Sequence, residues 1–211
     1  GAQPWSGYIC DARVVKGTAV YSGSTYTIPT APLTAVSGTS LLCNMTNAAI
    51  YDNAEVADYE TVGNAQISTS VKKYGTGSIS FDGDGDYLKA NYGVGFPGNF
   101  TVEMWVYITD GAKGNFFFST KSSGNTGQYL TLRGNYSASQ QILTMDFNGS
   151  SAAGPALSTN TWYHVAAARA GSTIKLFLNG TQVGSLSSST AVLCDSIAPI
   201  IGGTKIGRAH V

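Results

Sequence analysis

The nine residues FTVEMWVYI, Phe100–Ile108, decide the fold. Apolar side chains occupy every second position of this stretch, and most residues are β-branched or aromatic. A period of two with this composition is typical of a β-strand that packs one face against a core. The alternation places Phe100, Val102, Met104, Val106 and Ile108 on the core face. The opposite face carries Thr101, Glu103, Trp105 and Tyr107.

Short segments of the same kind recur on both sides of this strand, with Gly, Ser, Asn or Asp close to their ends. They cover residues 78–81, 87–90, 116–118, 129–132, 142–147, 162–169 and 173–178. Asn179-Gly180 follows the last of them, and Asn-Gly between alternating hydrophobic segments is a strong hairpin signal. No window keeps a helical period over three turns. We therefore predict an all-β fold, an antiparallel sandwich or jelly roll of two sheets.

The composition excludes several function classes. The chain has 12 Lys and Arg against 12 Asp and Glu, and only 11% of its 211 residues are charged. A nucleic-acid binder needs a basic stripe, which this balance does not provide. The chain contains no run of 18 or more apolar residues, the length that a membrane-spanning helix requires. Gly, Ser and Thr make up 71 residues, so we expect a surface of small, uncharged side chains. Such a surface favours association and suits extracellular polymers and glycan-facing modules.

Four segments, in order, resemble successive strands of laminin-G-like domains, which are concanavalin-A-like jelly rolls. They are residues 78–88 (SISFDGDGDYL), 100–108 (FTVEMWVYI), 160–168 (NTWYHVAAA) and 174–181 (IKLFLNGT). The resemblance extends over roughly residues 39–211 and is closest to the form found in phage virion and bacterial surface proteins. It implies two packed antiparallel sheets and an extracellular location, on a cell-surface filament or a virion.

The strand that usually closes such domains stands at the N-terminal end here. Residues 7–17 (GYICDARVVKG) resemble that closing strand, and a Pro-containing exit follows at residues 26–32. Residues 201–211, which the family places just before the closing strand, come last in this sequence. We therefore divide the chain into a closing or donor strand with a Pro/Gly/Ser spacer, residues 1–38, and a laminin-G-like jelly-roll body, residues 39–211.

Three arrangements of this strand are compatible with the sequence. It could fold back onto its own body, as in a circular permutation. Separate subunits could donate it head to tail and complete a neighbouring sheet, which generates a fibre when no ring closes. The chain could also be one repeat of a tandem protein. The last two favour a non-enzymatic structural subunit or repeat of an extracellular filament or virion appendage, whose partners are copies of itself. The joining residues would be Gly7, Tyr8, Ile9, Cys10, Asp11, Ala12, Arg13, Val14 and Val15.

The alternative function is a glycan-binding, lectin-like adhesion module. Such a module needs exposed Trp or Tyr side chains, whereas Trp5, Trp105 and Trp162 are each compatible with a core or joint position. Fold alone does not decide between these roles.

Catalysis is not expected. Glucanases that share the jelly roll cluster carboxylates on one strand for acid and nucleophile chemistry. Of the three glutamates, Glu55 and Glu103 lack a second carboxylate two positions away, whereas Glu60 has Asp58 there. His164 is expected to pack within its strand rather than to act as a base.

One turn is a candidate metal site. Asp82, Asp84 and Asp86 alternate with glycine, and their carboxylate oxygens could coordinate Ca²⁺. The EF-hand pattern fails, because Tyr87 stands where that loop requires Gly and Gly93 stands where it requires Glu. Asp and Gly are also favoured in tight turns for backbone reasons. No other cofactor is expected.

The three cysteines, Cys10, Cys43 and Cys194, contain no CxxC pair, so a zinc site is not expected. They allow at most one internal disulfide, in three possible pairings. Small buried thiols in strands are the alternative.

Overall fold

The computed structural model describes residues 5–45, 59–93, 95–121, 128–190 and 198–203. Within these ranges every regular element is a strand, and no helix has the length and apolarity that a membrane span requires. The strands are β1 (Ser6–Lys16), β2 (Thr39–Cys43), β3 (Tyr59–Val62), β4 (Gln66–Ser68), β5 (Ser78–Asp82), β6 (Tyr87–Ala90), β7 (Phe100–Ile108), β8 (Asn115–Ser119), β9 (Leu130–Ser137), β10 (Gln140–Phe147), β11 (Ser150–Leu157), β12 (Trp162–Ala170), β13 (Thr173–Leu178), β14 (Thr181–Ser187) and β15 (Ile200–Ile201).

The strands form two antiparallel sheets. Sheet A has the order β14-β13-β12-β7-β1-β5-β4, with β2 paired to β1. Sheet B has the order β11-β10-β9-β8-β15-β6-β3. Both the all-β class and the two-sheet sandwich predicted from the sequence are confirmed.

Apolar side chains from both sheets fill the space between them. β7 contributes the alternating set that its sequence predicts, and each of its five members is at most 1% exposed. Phe117, Leu132 and Met145 of sheet B belong to the same core. Burying one such large apolar side chain contributes roughly 1.5–3 kcal/mol. The core therefore fixes which face of β7 points outward.

β1 lies inside sheet A of its own chain. One edge pairs with β7, while the other pairs with β5 through residues 6–9 and with β2 through residues 12–15. The pairing with β7 shifts register between Cys10 and Arg13, at a bulge where Asp11 has a left-handed φ of 52°. In this single chain, β1 pairs with strands of its own body, while head-to-tail donation and a tandem repeat stay predictions.

Residues 17–38, which include the predicted spacer, cross the outer face of sheet A, and we call them the strap. The backbone N–H of Tyr26 donates to the carbonyl of Gly180 at 2.7 Å. The rings of Tyr21 and Tyr26 stack with centroids 3.6 Å apart, and both rings pack edge-on against Phe177. The strap therefore forms a third layer over part of the sandwich.

Candidate functional site

Three aromatic side chains on neighbouring strands of sheet A form a continuous row that stays partly exposed. Tyr8 of β1 lies opposite Tyr107 of β7, which lies opposite Trp162 of β12. The ring centroids are 5.7 Å apart for Tyr8 and Tyr107 and 5.3 Å apart for Tyr107 and Trp162. The corresponding planes are inclined by 68° and 51°. We call these three residues the aromatic row.

The row follows from strand register. Side chains on paired strands stand about 4.8 Å apart, so rings at opposed positions of one face touch. Tyr107 belongs to the outward set of β7 that the sequence predicts. The strap packs nearer the other end of β7, where the backbone N–H of Val20 donates to Thr101 Oγ1 at 2.8 Å. Tyr107 therefore stays partly exposed, whereas Glu103 and Trp105 are buried.

Polar side chains extend the row. Ser80 of β5 lies opposite Tyr8, and Gln66 of β4 lies opposite Ser80. One step further along β1, the hydroxyl groups of Ser6 and Thr109 are hydrogen-bonded at 2.7 Å. The row with its polar extension crosses five strands, a span of about 19 Å at ordinary strand spacing. It combines aromatic faces with hydroxyl and amide groups.

A buried polar cluster lies beneath the strap, centred on Glu103. Arg13 of β1 donates to Glu103 Oε1 from Nε at 2.9 Å, and its Nη2 forms an ion pair with the same oxygen. Tyr21 Oη donates to Glu103 Oε2 at 2.5 Å, and His164 Nε2 lies 3.2 Å from that oxygen. Burial alone would raise the pKa of Glu103, but the contacts with His164, Arg13 and Tyr21 hold that pKa below its usual value.

These contacts decide what Glu103 can do. Both of its oxygens are engaged by side chains, and the residue is 0% exposed. His164 is equally buried, and its Nδ1 lies 2.7 Å from the hydroxyl of Tyr26. The cluster therefore ties β1, β7, β12 and the strap together, and Glu103 has no open side from which to reach a substrate.

The structure places Asp82 at the end of β5 and Asp84 and Asp86 in the turn that leads to β6. Asp86 accepts hydrogen bonds from the backbone N–H groups of Asp82 at 2.9 Å and Asn64 at 2.8 Å. Asp82 accepts from the backbone N–H of Asp84 and from the Asn64 amide, and these hydrogen bonds lower its pKa. In the described ranges no three His, Cys, Asp or Glu side chains are grouped to hold a metal ion. The calcium site stays a prediction without support from this geometry.

The predicted joining residues, 7–15, form most of β1. All of them are buried except Tyr8, which belongs to the aromatic row. A side chain at Gly7 would overlap the carbonyl oxygen of Tyr107 and the ring of Trp5, so this position requires glycine. Cys10 and Cys43 are both buried, and no disulfide joins them to each other. Glu55 and Cys194 lie outside the described residues.

The sequence placed Tyr8 among the joining residues rather than in a ligand site, gave Tyr107 no site role, and left Trp162 between core and joint. Trp5 is 0% exposed and Trp105 is 2% exposed, so both are internal. Trp162 is the tryptophan that reaches the surface. The outward position of Tyr107 could be predicted from the alternation of β7. The row could not, because the sequence does not give the register that places Tyr8 and Trp162 opposite Tyr107.

Comparisons with known proteins agree with this architecture. Residues 82–210 match a laminin G family model described as the concanavalin A-like lectin/glucanases superfamily. No curated protein matches the chain significantly.

Two solved structures show a distant likeness. A carbohydrate-binding module, CBM66 from Bacillus subtilis, is 15% identical, with a TM-score of 0.43 over 69% of this chain and 88% of that one. A Bacillus licheniformis β-glucanase is 9% identical, with a TM-score of 0.35 over 97% of this chain and 85% of that one. Neither likeness carries a functional argument. The family model matches more than half of the sequence, so the chain belongs to the concanavalin A-like lectin/glucanase superfamily.

Proposed function

We propose that this chain is a non-catalytic, extracellular glycan-binding module that holds a sugar chain on the aromatic row. The observation that carries the proposal is the contact of Tyr8, Tyr107 and Trp162 across three adjacent strands of sheet A, where all three side chains stay partly exposed. Sugar rings have apolar C–H faces and hydroxyl edges. Aromatic side chains offer a large apolar face with a polar end, and binding sites combine such faces with a few polar groups.

The shape of the row supports a chain of sugars rather than a single flat ring. The three rings are inclined to one another by 51° and 68°, so they present a stepped surface. Ser80 and Gln66 continue the same line with groups that hydrogen-bond to sugar hydroxyls. A surface with few charges, as the composition indicates, suits contacts with the hydroxyl groups of a sugar chain. The superfamily contains lectins and glucanases, but the same fold hosts many roles, so the site carries the argument.

Removing the ring of Trp162 tests the proposal. A glycan array identifies the best oligosaccharide, and calorimetry then compares the chain with its Trp162→Ala variant. We expect affinity to fall at least about tenfold, as for the truncation of an aromatic hot spot. Tyr136→Ala is the matched control, because Tyr136 is 43% exposed on β9 of sheet B, away from the row. Equal affinity of the Trp162→Ala variant and the unmodified chain would refute the site.

A second candidate function is the head-to-tail joint, in which β1 completes the sheet of another copy in a filament or virion appendage. β1 fills a slot between β7 and β5, and its Arg13 neutralises the buried Glu103. A body without a strand in that slot would expose two sheet edges and a buried unpaired charge, and both are costly. The body therefore requires this strand, and a neighbouring copy could supply it. β1 also lies outside residues 82–210, the part that matches the family.

A further inference from the structure

The loop at residues 71–77 packs beside the aromatic row and carries a cation. The ring of Tyr74 meets the ring of Trp105 edge-on at 5.7 Å, and Lys73 Nζ lies 4.5 Å from the centroid of Trp105. Trp105 precedes Tyr107 by two positions on the same face of β7, so their Cα atoms are about 7 Å apart. The ammonium group of Lys73 therefore stands at the flank of the row, one side-chain step from its central ring.

This cation has no acidic partner in the part of the chain that the structure describes. Its contacts are the faces of Trp105 and Tyr74, which hold it by cation–π attraction without using its hydrogen-bond donors. The neighbouring Lys72 differs, because its Nζ donates to the carbonyl of Thr69 at 2.9 Å. Lys73 thus keeps three donors for a ligand.

The carboxylates on the other side of the row are engaged within their own turns. Asp82 accepts hydrogen bonds from Asp84 and Asn64, as described above. Asp110 accepts from the backbone N–H of Ala112 at 2.8 Å and pairs with Lys113 at 3.7 Å. These neutral donors leave the charge of Asp82 in place, but Asp82 lies opposite Ser6, on the side of the row away from Lys73. The charge on the Trp105 side of the row is therefore positive.

We propose that the sugar chain on the aromatic row is anionic, and that Lys73 binds a carboxylate or sulfate group of it. The inference rests on the glycan-binding function proposed above. Lysine acts as a compact point charge that tolerates several directions of approach. The ring contacts restrain the side chain before binding, which lowers the entropy lost when an anionic group pairs with it.

Two matched pairs of ligands test whether the bound glycan is anionic and distinguish a carboxylate from a sulfate group. One pair is an oligogalacturonate and its methyl ester, and the other is a sulfated dextran oligosaccharide and the unsulfated form. Calorimetry at low salt should show tighter binding of the acidic member of at least one pair, and that pair identifies the anionic group. Lys73→Gln should weaken acidic binding roughly two- to fivefold, the range for one solvent-screened ion pair. It should leave neutral binding unchanged, and Lys72→Gln is the matched control.

The outcomes separate this inference from the function on which it rests. Equal binding of acidic and neutral members, or unchanged acidic binding in Lys73→Gln, overturns the anionic ligand while Trp162→Ala can still abolish binding. Weakening of acidic and neutral ligands alike by Lys73→Gln would assign Lys73 to the loop's structure and also overturns the inference. Absence of binding to all four ligands and to the glycan array overturns glycan binding itself.

Discussion

Asp11 shows how one side chain connects the sequence to pH-dependent stability. It sits at the bulge of β1, is 1% exposed, and accepts a hydrogen bond from the Asn44 amide at 2.8 Å. Its other oxygen, Oδ2, has no hydrogen-bond partner among the residues that the structure describes. Burial raises its pKa from 3.8 to about 6, although hydrogen bonds with Asn44 and Cys10 act in the opposite direction. The charged form is therefore costly in the folded chain.

Asp11→Asn should stabilise the chain at pH 8 and have little effect at pH 4. Because the folded pKa lies above the unfolded one, the contribution of Asp11 to stability is complete below about pH 4 and is lost as the pH rises through about 6. Asparagine keeps an acceptor for Asn44 and tolerates the left-handed backbone. Urea unfolding should show a gain on the order of 1–3 kcal/mol at pH 8. The exposed Asp84→Asn is the control, and a gain independent of pH would contradict this account.

Residue periodicity predicted part of this structure and not the rest. The alternation of β7 is local, so its core face could be read from nine residues. The burial of Glu103 and Trp105 could not, because it depends on the strap and the 71–77 loop, which come from distant parts of the sequence. The aromatic row depends on the register of three strands that are far apart along the chain. The segment that resembles a closing strand was visible in the sequence, but the place of β1 between β5 and β7 required the fold.

At the scale of elements, the two candidate functions differ in β1. It comes from the same chain in an independent module and from another copy in a head-to-tail filament. Arg13→Glu and Glu103→Arg should each destabilise the chain by roughly 3–5 kcal/mol, because each leaves a buried charge unpaired. The double variant restores the pair within one chain and is the control for charge reversal. When the two single variants are refolded together, exchange of β1 between copies should restore both pairs and yield species of two or more chains in light scattering.

Refolding that restores neither stability nor association would mean that β1 serves its own body alone. The head-to-tail joint would then be excluded, and the glycan-binding module would stand without it. The strap directly follows β1 in the sequence, so exchange of β1 would also move the strap. The contacts of Tyr21 with Glu103 and of Tyr26 with His164 would then have to form between copies.

At the scale of the whole molecule, the two ends of the outer face of sheet A differ in what packs on them. The strap and the buried cluster cover sheet A around Glu103, where they hold the sandwich together. The aromatic row lies toward the other end of β7, and its three side chains stay partly exposed. The three tryptophans distinguish the interior from the row in a spectroscopic measurement. Trp5 and Trp105 are internal, whereas Trp162 belongs to the row.

The most direct measurement is therefore the indole N–H region of a ¹⁵N–¹H correlation spectrum during titration with the best-binding oligosaccharide. We predict that the Trp162 signal, assigned by its loss in Trp162→Phe, shifts progressively and saturably while the Trp5 signal stays in place. The Trp105 signal should move only slightly, because it lies one step from the row under Lys73. Saturable binding that leaves the Trp162 signal unmoved would contradict the aromatic row as the glycan site.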